Sequence, residues 1–371
     1  MKISKSIYIE VMACLIITMQ VIGRETSALG NSLYYPTMSI GTLLLFFLYA
    51  KFKIPSQYFT CVLIYVILSF MNSVIIGTAN FSSILFELTV YVPLGLFFAI
   101  NSRYAKKLWY AMCIYIAYFV MQHWFASYDG YNLFYGMGRN YVSVYLIVLV
   151  FILSVVLSAS SQKLPLWVFV AAFVFSVMAV GRTGIVVTLL MLIGIVLYRT
   201  FEKNGRPSLT RMLRIIAICF ILIMVAVYVY LNFESILYTY FPRFAGKESS
   251  VTLSNALRLQ MFQDYINECL HSLKYFVLGI DPSRITTFSG NLHNSYFQVH
   301  STTGIVWLGW IVYAIVRFVR KEIEEKNYEL LIPTVCFLLR ASMDWCFPGF
   351  LGSAIIWFVI FSSLKENKIK Y

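Results

Sequence analysis

Gly181-Arg182-Thr183-Gly184 joins two apolar stretches, 164–180 and 185–198, with almost no polar residue between them. A guanidinium there sits at or below a membrane surface, and an Arg at the centre of a span costs about 2.5–3.5 kcal/mol on insertion scales. It is expected to face an anion or a cavity, the alternative being a side chain that snorkels to the interface. A diphosphate suits it, because a guanidinium holds phosphate through two parallel N–H bonds and stays charged. The flanking glycines allow close backbone approach or unusual dihedrals. Further on, His293-Asn294-Ser295-Tyr296 follows a glycine-containing turn. Histidine is the side chain whose ordinary pKa suits proton transfer near neutrality. The chain has four: His123, His271, His293 and His300. His293 and His300 are two helical turns apart, about 10.5 Å of rise, so the spacing predicts a shared face but no chelation of one metal. No DxD, HExxH or cysteine cluster is present, which favours metal-free chemistry without a cofactor.

Other charges stand out against the apolar background. Arg258 falls on an amphipathic stretch, and Arg284 ends the turn Gly279-Ile280-Asp281-Pro282-Ser283-Arg284. Each is either an anion ligand or an ordinary surface charge. Arg139 and Asn140, in Gly136-Met137-Gly138-Arg139-Asn140-Tyr141, enter an apolar segment and read as a ligand pair or an interfacial anchor. Arg340 and Asp344 have i,i+4 spacing and are expected to form an ion pair inside the membrane. Glu87 is a further carboxylate within an apolar segment, expected to partner one of the arginines.

The elements that carry these residues follow from composition. Hydrophobic residues make up 60% of the 371 and charged residues 12%, and the mean hydropathy is +0.77. Soluble domains carry about 25% charged residues, so too little polar side chain is present to coat a surface in water. In lipid the backbone must satisfy itself, as helices or as a closed barrel. Segments 58–76 and 212–231 are continuously apolar over the length a helix needs to cross, without the alternation of barrel strands. The chain therefore reads as an all-α polytopic membrane protein of about 12 transmembrane helices. The expected spans are 7–22, 38–50, 58–76, 84–100, 108–126, 141–160, 165–180, 184–198, 212–232, 302–318, 330–345 and 350–364.

Charge gives the orientation. With the N-terminus in the cytoplasm, all but nine of the 29 Lys and Arg fall in cytoplasmic gaps. The nine are Arg24, Arg139, Arg182, Arg243, Lys247, Arg258, Lys274, Arg284 and Arg340. The positive-inside rule then places both termini in the cytoplasm. The net charge of +13 is mostly topology, lying against anionic membrane lipids, with no nucleic-acid stripe. The first span lacks a small-residue cleavage site and reads as a retained anchor. Of seven cysteines, Cys14, Cys61, Cys113, Cys219 and Cys336 lie within spans, while Cys269 and Cys346 leave one bridge open.

Residues 1–371 read as one transmembrane domain, with a long extracytoplasmic loop at 232–301 between the ninth and tenth spans. Connections of that length are usually functional or disordered. This one contains Phe241-Pro242-Arg243-Phe244, Tyr275-Phe276 and a helical pattern over 255–273. There Leu257, Met261, Tyr265 and Cys269 repeat every four residues, while Arg258, Gln260, Gln263, Asp264 and Glu268 fall elsewhere. Thr252 or Ser254 is the expected cap. Such a helix fits a lid or substrate platform, or else a solvated structural loop.

These residues together resemble the O-antigen polymerase and O-antigen ligase superfamily, integral-membrane glycosyltransferases of the GT-C type. Gly181-Arg182-Thr183-Gly184 is similar to the family's (S/G)-R-(T/S)-G signature. The late outer loop carries an early Arg258 and ends in His293-Asn294-Ser295-Tyr296, similar to H-N-x-(Y/F), with a glycine at 304 near the next helix start. Gly138-Arg139-Asn140 is a weaker element, and the likeness covers roughly 130–315. The resemblance implies a metal-independent inverting transfer at the outer face of the bacterial cytoplasmic membrane. Undecaprenyl-diphosphate-linked glycans would be donor and acceptor, with a chain-length regulator and a flippase as candidate partners. Arg182 and Arg258 would hold the diphosphate, and His293 would orient or deprotonate the acceptor hydroxyl. Arg139, Asn140, Arg284, Asn294 and Tyr296 would bind substrate. Length and loop size favour a polymerase of O-antigen, capsule or exopolysaccharide over a ligase, where Ser commonly replaces Gly181. A lipid-linked sugar transporter would need half-repeats, which are absent from the sequence. A non-catalytic scaffold would leave Arg182 and His293 unused.

Overall fold

The computed structural model describes residues 15–19, 38–42, 55–77, 81–101, 113–114, 117–118, 140–179, 181–204, 249–285 and 292–364. Every regular element among them is helical. We number these α1 (Ser56–Ile76), α2 (Phe81–Ile100), α3 (Asn140–Ser158), α4 (Leu166–Met178) and α5 (Arg182–Asn204), then α6 (Ser249–His271) and α7 (Leu273–Leu278). They are followed by α8 (Ser295–Glu324), α9 (Tyr328–Met343) and α10 (Leu351–Leu364). Eight of the expected spans are thus helices. Those at 7–22, 38–50, 108–126 and 212–232 lie outside the described residues except for short pieces. Five helices (α1, α2, α3, α5 and α8) are long and apolar enough to cross a membrane.

Residue type explains which helix sits where. α3 is apolar all round, and 83% of its most apolar window is buried. A helix with no polar face belongs in the interior. α10 is the same, buried from Leu351 to Ser363. α1 is inside-out relative to a soluble helix. Phe59, Leu63, Ile67, Phe70 and Val74 form an exposed apolar stripe, while Tyr58, Cys61, Tyr65, Ser69 and Asn72 face inward. Only a hydrocarbon solvent makes that arrangement favourable. The chain is a helical, membrane-embedded protein.

The two ends of the bundle differ in character. At one end Arg199 forks onto Glu329, Nε–Oε1 at 2.6 Å and Nη2–Oε2 at 2.7 Å, tying α5 to α9. Lys163 pairs with Glu202 at the same end, and Asn327 donates to Ser158 and Glu322. The starts of α3, α5 and α8 and the end of α9 gather at the other end. Within the two runs α3–α4–α5 and α8–α9–α10, consecutive helices therefore alternate in direction.

The segment 249–285 folds onto that second end. Met261, Tyr265 and Cys269 are buried with Ile280 and Leu292, the four-residue repeat seen in the sequence. The helix begins earlier than expected, at Ser249, so Thr252 and Ser254 lie within its first turns and neither is the cap. Cys269 and Cys346 are both free thiols, so the bridge left open between them is not formed.

The tenth span begins differently from the sequence reading. Its helix starts at Ser295, and Gly304 (φ 78°, ψ 179°) divides it in two. A left-handed φ strongly favours glycine, and a Cβ at 304 would overlap the Val277 carbonyl. The half-helix before the break lies across α7. Asn72 of α1, fully buried, donates to the carbonyls of Leu278 and Ser301 at this crossing.

Candidate functional site

The site is built from the ends of α3, α5, α8 and α9. Asn294 caps α8, accepting from the Tyr296 and Phe297 amides at 2.9 and 3.2 Å, and its Nδ2 donates to the Ser342 carbonyl at 2.9 Å. Ser295, fully buried, is a hub. Its hydroxyl donates to the Asp344 carbonyl and accepts from the Cys346 amide, both at 2.8 Å. The Tyr296 hydroxyl donates to the Leu338 carbonyl at 3.3 Å, with its ring edge-on to Phe347. Asn294, Ser295 and Tyr296 therefore lock α8 to the turn that ends α9.

His293 stands just before that cap with φ 48°. Left-handed backbone is uncommon outside glycine, although His tolerates it better than most, and such outliers cluster at functional sites. Because His293 precedes the helix, it does not share a helical face with His300; the two-turn expectation fails there. His300 is a fastener instead. Its Nε2 donates to the Phe276 carbonyl at 2.8 Å, so Nδ1 accepts from the Tyr265 hydroxyl at 2.7 Å.

Asp344 joins the pieces. Arg340 Nη2 lies 3.2 Å from its Oδ2, the ion pair expected from i,i+4 spacing, and His293 Nδ1 lies 3.6 Å from its Oδ1. Arg340 and Asp344 are 0% and 2% exposed. The second distance is too long for a hydrogen bond. Arg340 Nη2 also donates to the Asn140 carbonyl at 3.0 Å, while its Nε and Nη1 make no hydrogen bond. Asn140 thus enters the site through its carbonyl. Sequence reasoning paired Arg340 with Asp344 but missed the link to His293, because the two lie far apart in the chain.

Arg182 opens α5 at this same end. Gly184 beside it permits the closeness: a Cβ there would overlap Ser143 of α3. The Ser143 hydroxyl donates to the Asn140 carbonyl at 2.8 Å, the same carbonyl that Arg340 reaches. Arg182 is half-buried. Arg258 is half-buried on α6, two turns before Tyr265, and belongs to the loop layer. Arg284 is exposed, its Nη1 2.6 Å from the Tyr275 hydroxyl. No hydrogen bond or ion pair joins Arg258 or Arg284 to the His293 cluster among the described residues. Arg139 lies outside the described residues. Glu87 is not paired with an arginine among them; it accepts from Trp357 Nε1 at 2.9 Å and the Gly349 amide at 3.3 Å.

No protein-family model and no curated protein matches this chain.

Proposed function

We propose that the chain polymerises undecaprenyl-diphosphate-linked oligosaccharide units into a surface polysaccharide at the outer face of the bacterial cytoplasmic membrane. The observation that supports it most is that His293, beside the Asp344–Arg340 pair, and the helix start that carries Arg182 lie at the same end of the bundle. An acid–base histidine and an anion-binding arginine at one end of a membrane bundle suit transfer from a lipid diphosphate. The acceptor hydroxyl oxygen attacks the anomeric carbon, the carbon–oxygen bond to the diphosphate breaks, and the hydroxyl proton passes to His293. Configuration inverts, and the carrier diphosphate leaves. Asp344, whose Oδ1 is 3.6 Å from His293 Nδ1, stabilises the imidazolium that forms. Arg182 neutralises charge on the departing diphosphate, with Arg258 as a second cation from the loop.

A deletion strain complemented with wild type, Arg182→Ala or Arg182→Lys tests this. Wild type should restore the polysaccharide ladder and Arg182→Ala should leave single repeat units. Arg182→Lys keeps the charge without the fork and should lose roughly ten- to a hundredfold of polymer yield, the worth of a charge-assisted hydrogen bond. Full-length polymer accumulating on the carrier lipid would make the protein a ligase. An intact ladder in the deletion strain would turn attention to transport or scaffolding.

A further inference from the structure

A second polar space opens at the same end of the bundle. A cavity of about 190 Å³ lies between α1, α2, the first half of α8 and the 344–350 turn, lined among others by Tyr65, Ser69, Glu87, Gln298, Thr302 and Trp345. Glu87 is 5% exposed and begins a π-helical turn, Glu87–Tyr91, inside α2. Such turns are rare and frequent at functional sites, and a carboxylate within a membrane span marks function by default. Its described partners are neutral: Trp357 Nε1, the Gly349 amide and the nearby Ser353 hydroxyl. No cation pairs with it among the described residues. A carboxylate has about four acceptor positions, so capacity remains for donors in the cavity. The buried Ser69 hydroxyl also has no hydrogen-bond partner of good geometry.

The chemistry of the lining narrows the occupant. A buried carboxylate repels phosphate and disfavours an acyl chain. Glu87 accepts, the Gln298 amide donates, Thr302 offers a hydroxyl, and Tyr65 and Trp345 present rings. Sugar hydroxyls both donate and accept, and the C–H face of a pyranose packs on aromatic surfaces. We propose that this cavity is a carbohydrate subsite holding one neutral sugar ring of the acceptor glycan, with Glu87 accepting from its hydroxyls. Assignment of the ring to an acceptor rests on the glycosyl-transfer reading; the binding chemistry does not. The turn from Asp344 to Gly349 links the two sites, with Asp344 beside His293 and the Gly349 amide on Glu87.

The test uses the full-length protein in lipid nanodiscs and saturation-transfer NMR. The probes are methyl glycosides of a hexose, a 6-deoxyhexose, an N-acetylhexosamine and a hexuronic acid. At least one neutral glycoside should bind, the hexuronic acid should bind least, and Glu87→Gln should weaken binding roughly tenfold. Thr302→Val, a milder change, should weaken it in the same direction, and Lys326→Ala, on an exposed position at the other end of the bundle, should leave it unaltered. Absence of any glycoside signal in folded wild type, or equal signals in wild type and Glu87→Gln, overturns the subsite. Sodium that raises the wild-type melting temperature but not that of Glu87→Gln, without a sugar signal, makes it a cation site instead. The two proposals fail separately. A Glu87→Gln strain with wild-type ladder and sugar selectivity sinks the acceptor subsite while Arg182→Ala still reports on polymerisation. Glu87-dependent sugar binding in a protein whose deletion leaves the ladder intact keeps the site and removes the polymerase.

Discussion

His293 combines a left-handed backbone, a position outside the helix it precedes, and a carboxylate 3.6 Å from its Nδ1. Asp344 can serve that carboxylate role because Arg340 offsets its charge inside the bundle. A buried ion pair is weak evidence for stability, since desolvation cancels much of the attraction; here its geometric effect on His293 is the better explanation. A double-mutant cycle separates the two. His293→Ala should lower turnover by about 10²–10⁴, the range for a general base. Asp344→Asn should lower turnover about tenfold or more in the wild-type background and by little in His293→Ala, because coupled residues lose additivity. Equal losses in both backgrounds would assign Asp344 to the fold alone. Removing one partner of a buried pair also costs about 3–5 kcal/mol, so a lower melting temperature should accompany Asp344→Ala.

At the scale of elements, the broken start of α8 governs the architecture. Gly304 lets the segment 295–303 turn away from the rest of the helix and cross α7, where Asn72 and His300 supply polar contacts. The first half then carries Asn294 and Ser295, which hold the turn after α9. Gly304→Ala should cost more than the about 1–2 kcal/mol of left-handed strain, because its Cβ also meets the Val277 carbonyl. The measurement is the melting temperature in detergent together with polymer yield, and both should fall. An unchanged melting temperature would mean that the half-helix rearranges freely and does not position the site.

For the whole molecule, an inside-out α1 gives the chain its solvent. The orientation belongs to the proposal and has a direct check. In a background without native cysteines, Arg284→Cys on the outer loop and Lys326→Cys between α8 and α9 are both on exposed positions. An impermeant thiol reagent added to intact spheroplasts should label position 284 and leave position 326 unmodified until the membrane is opened. Labelling of 326 alone would invert the topology and place the His293 end in the cytoplasm, where an outward-facing polymerase site is impossible.

The class of fold was legible because it depends on local composition and period. Long apolar runs require helices in lipid. Spacing of four also located the buried stripe of α6 and the Arg340–Asp344 pair, since Asp344 directly follows the helix that carries Arg340. The remaining features rest on contacts between helices distant in sequence. Asp344 meets His293 because Ser295 clamps the turn after α9. Glu87 meets Trp357 and Gly349 rather than an arginine because α2 packs on α10. His300 faces Tyr265 and Phe276 because α8 breaks at Gly304. Periodicity specifies which face of a helix is buried, whereas packing alone selects the group that face meets.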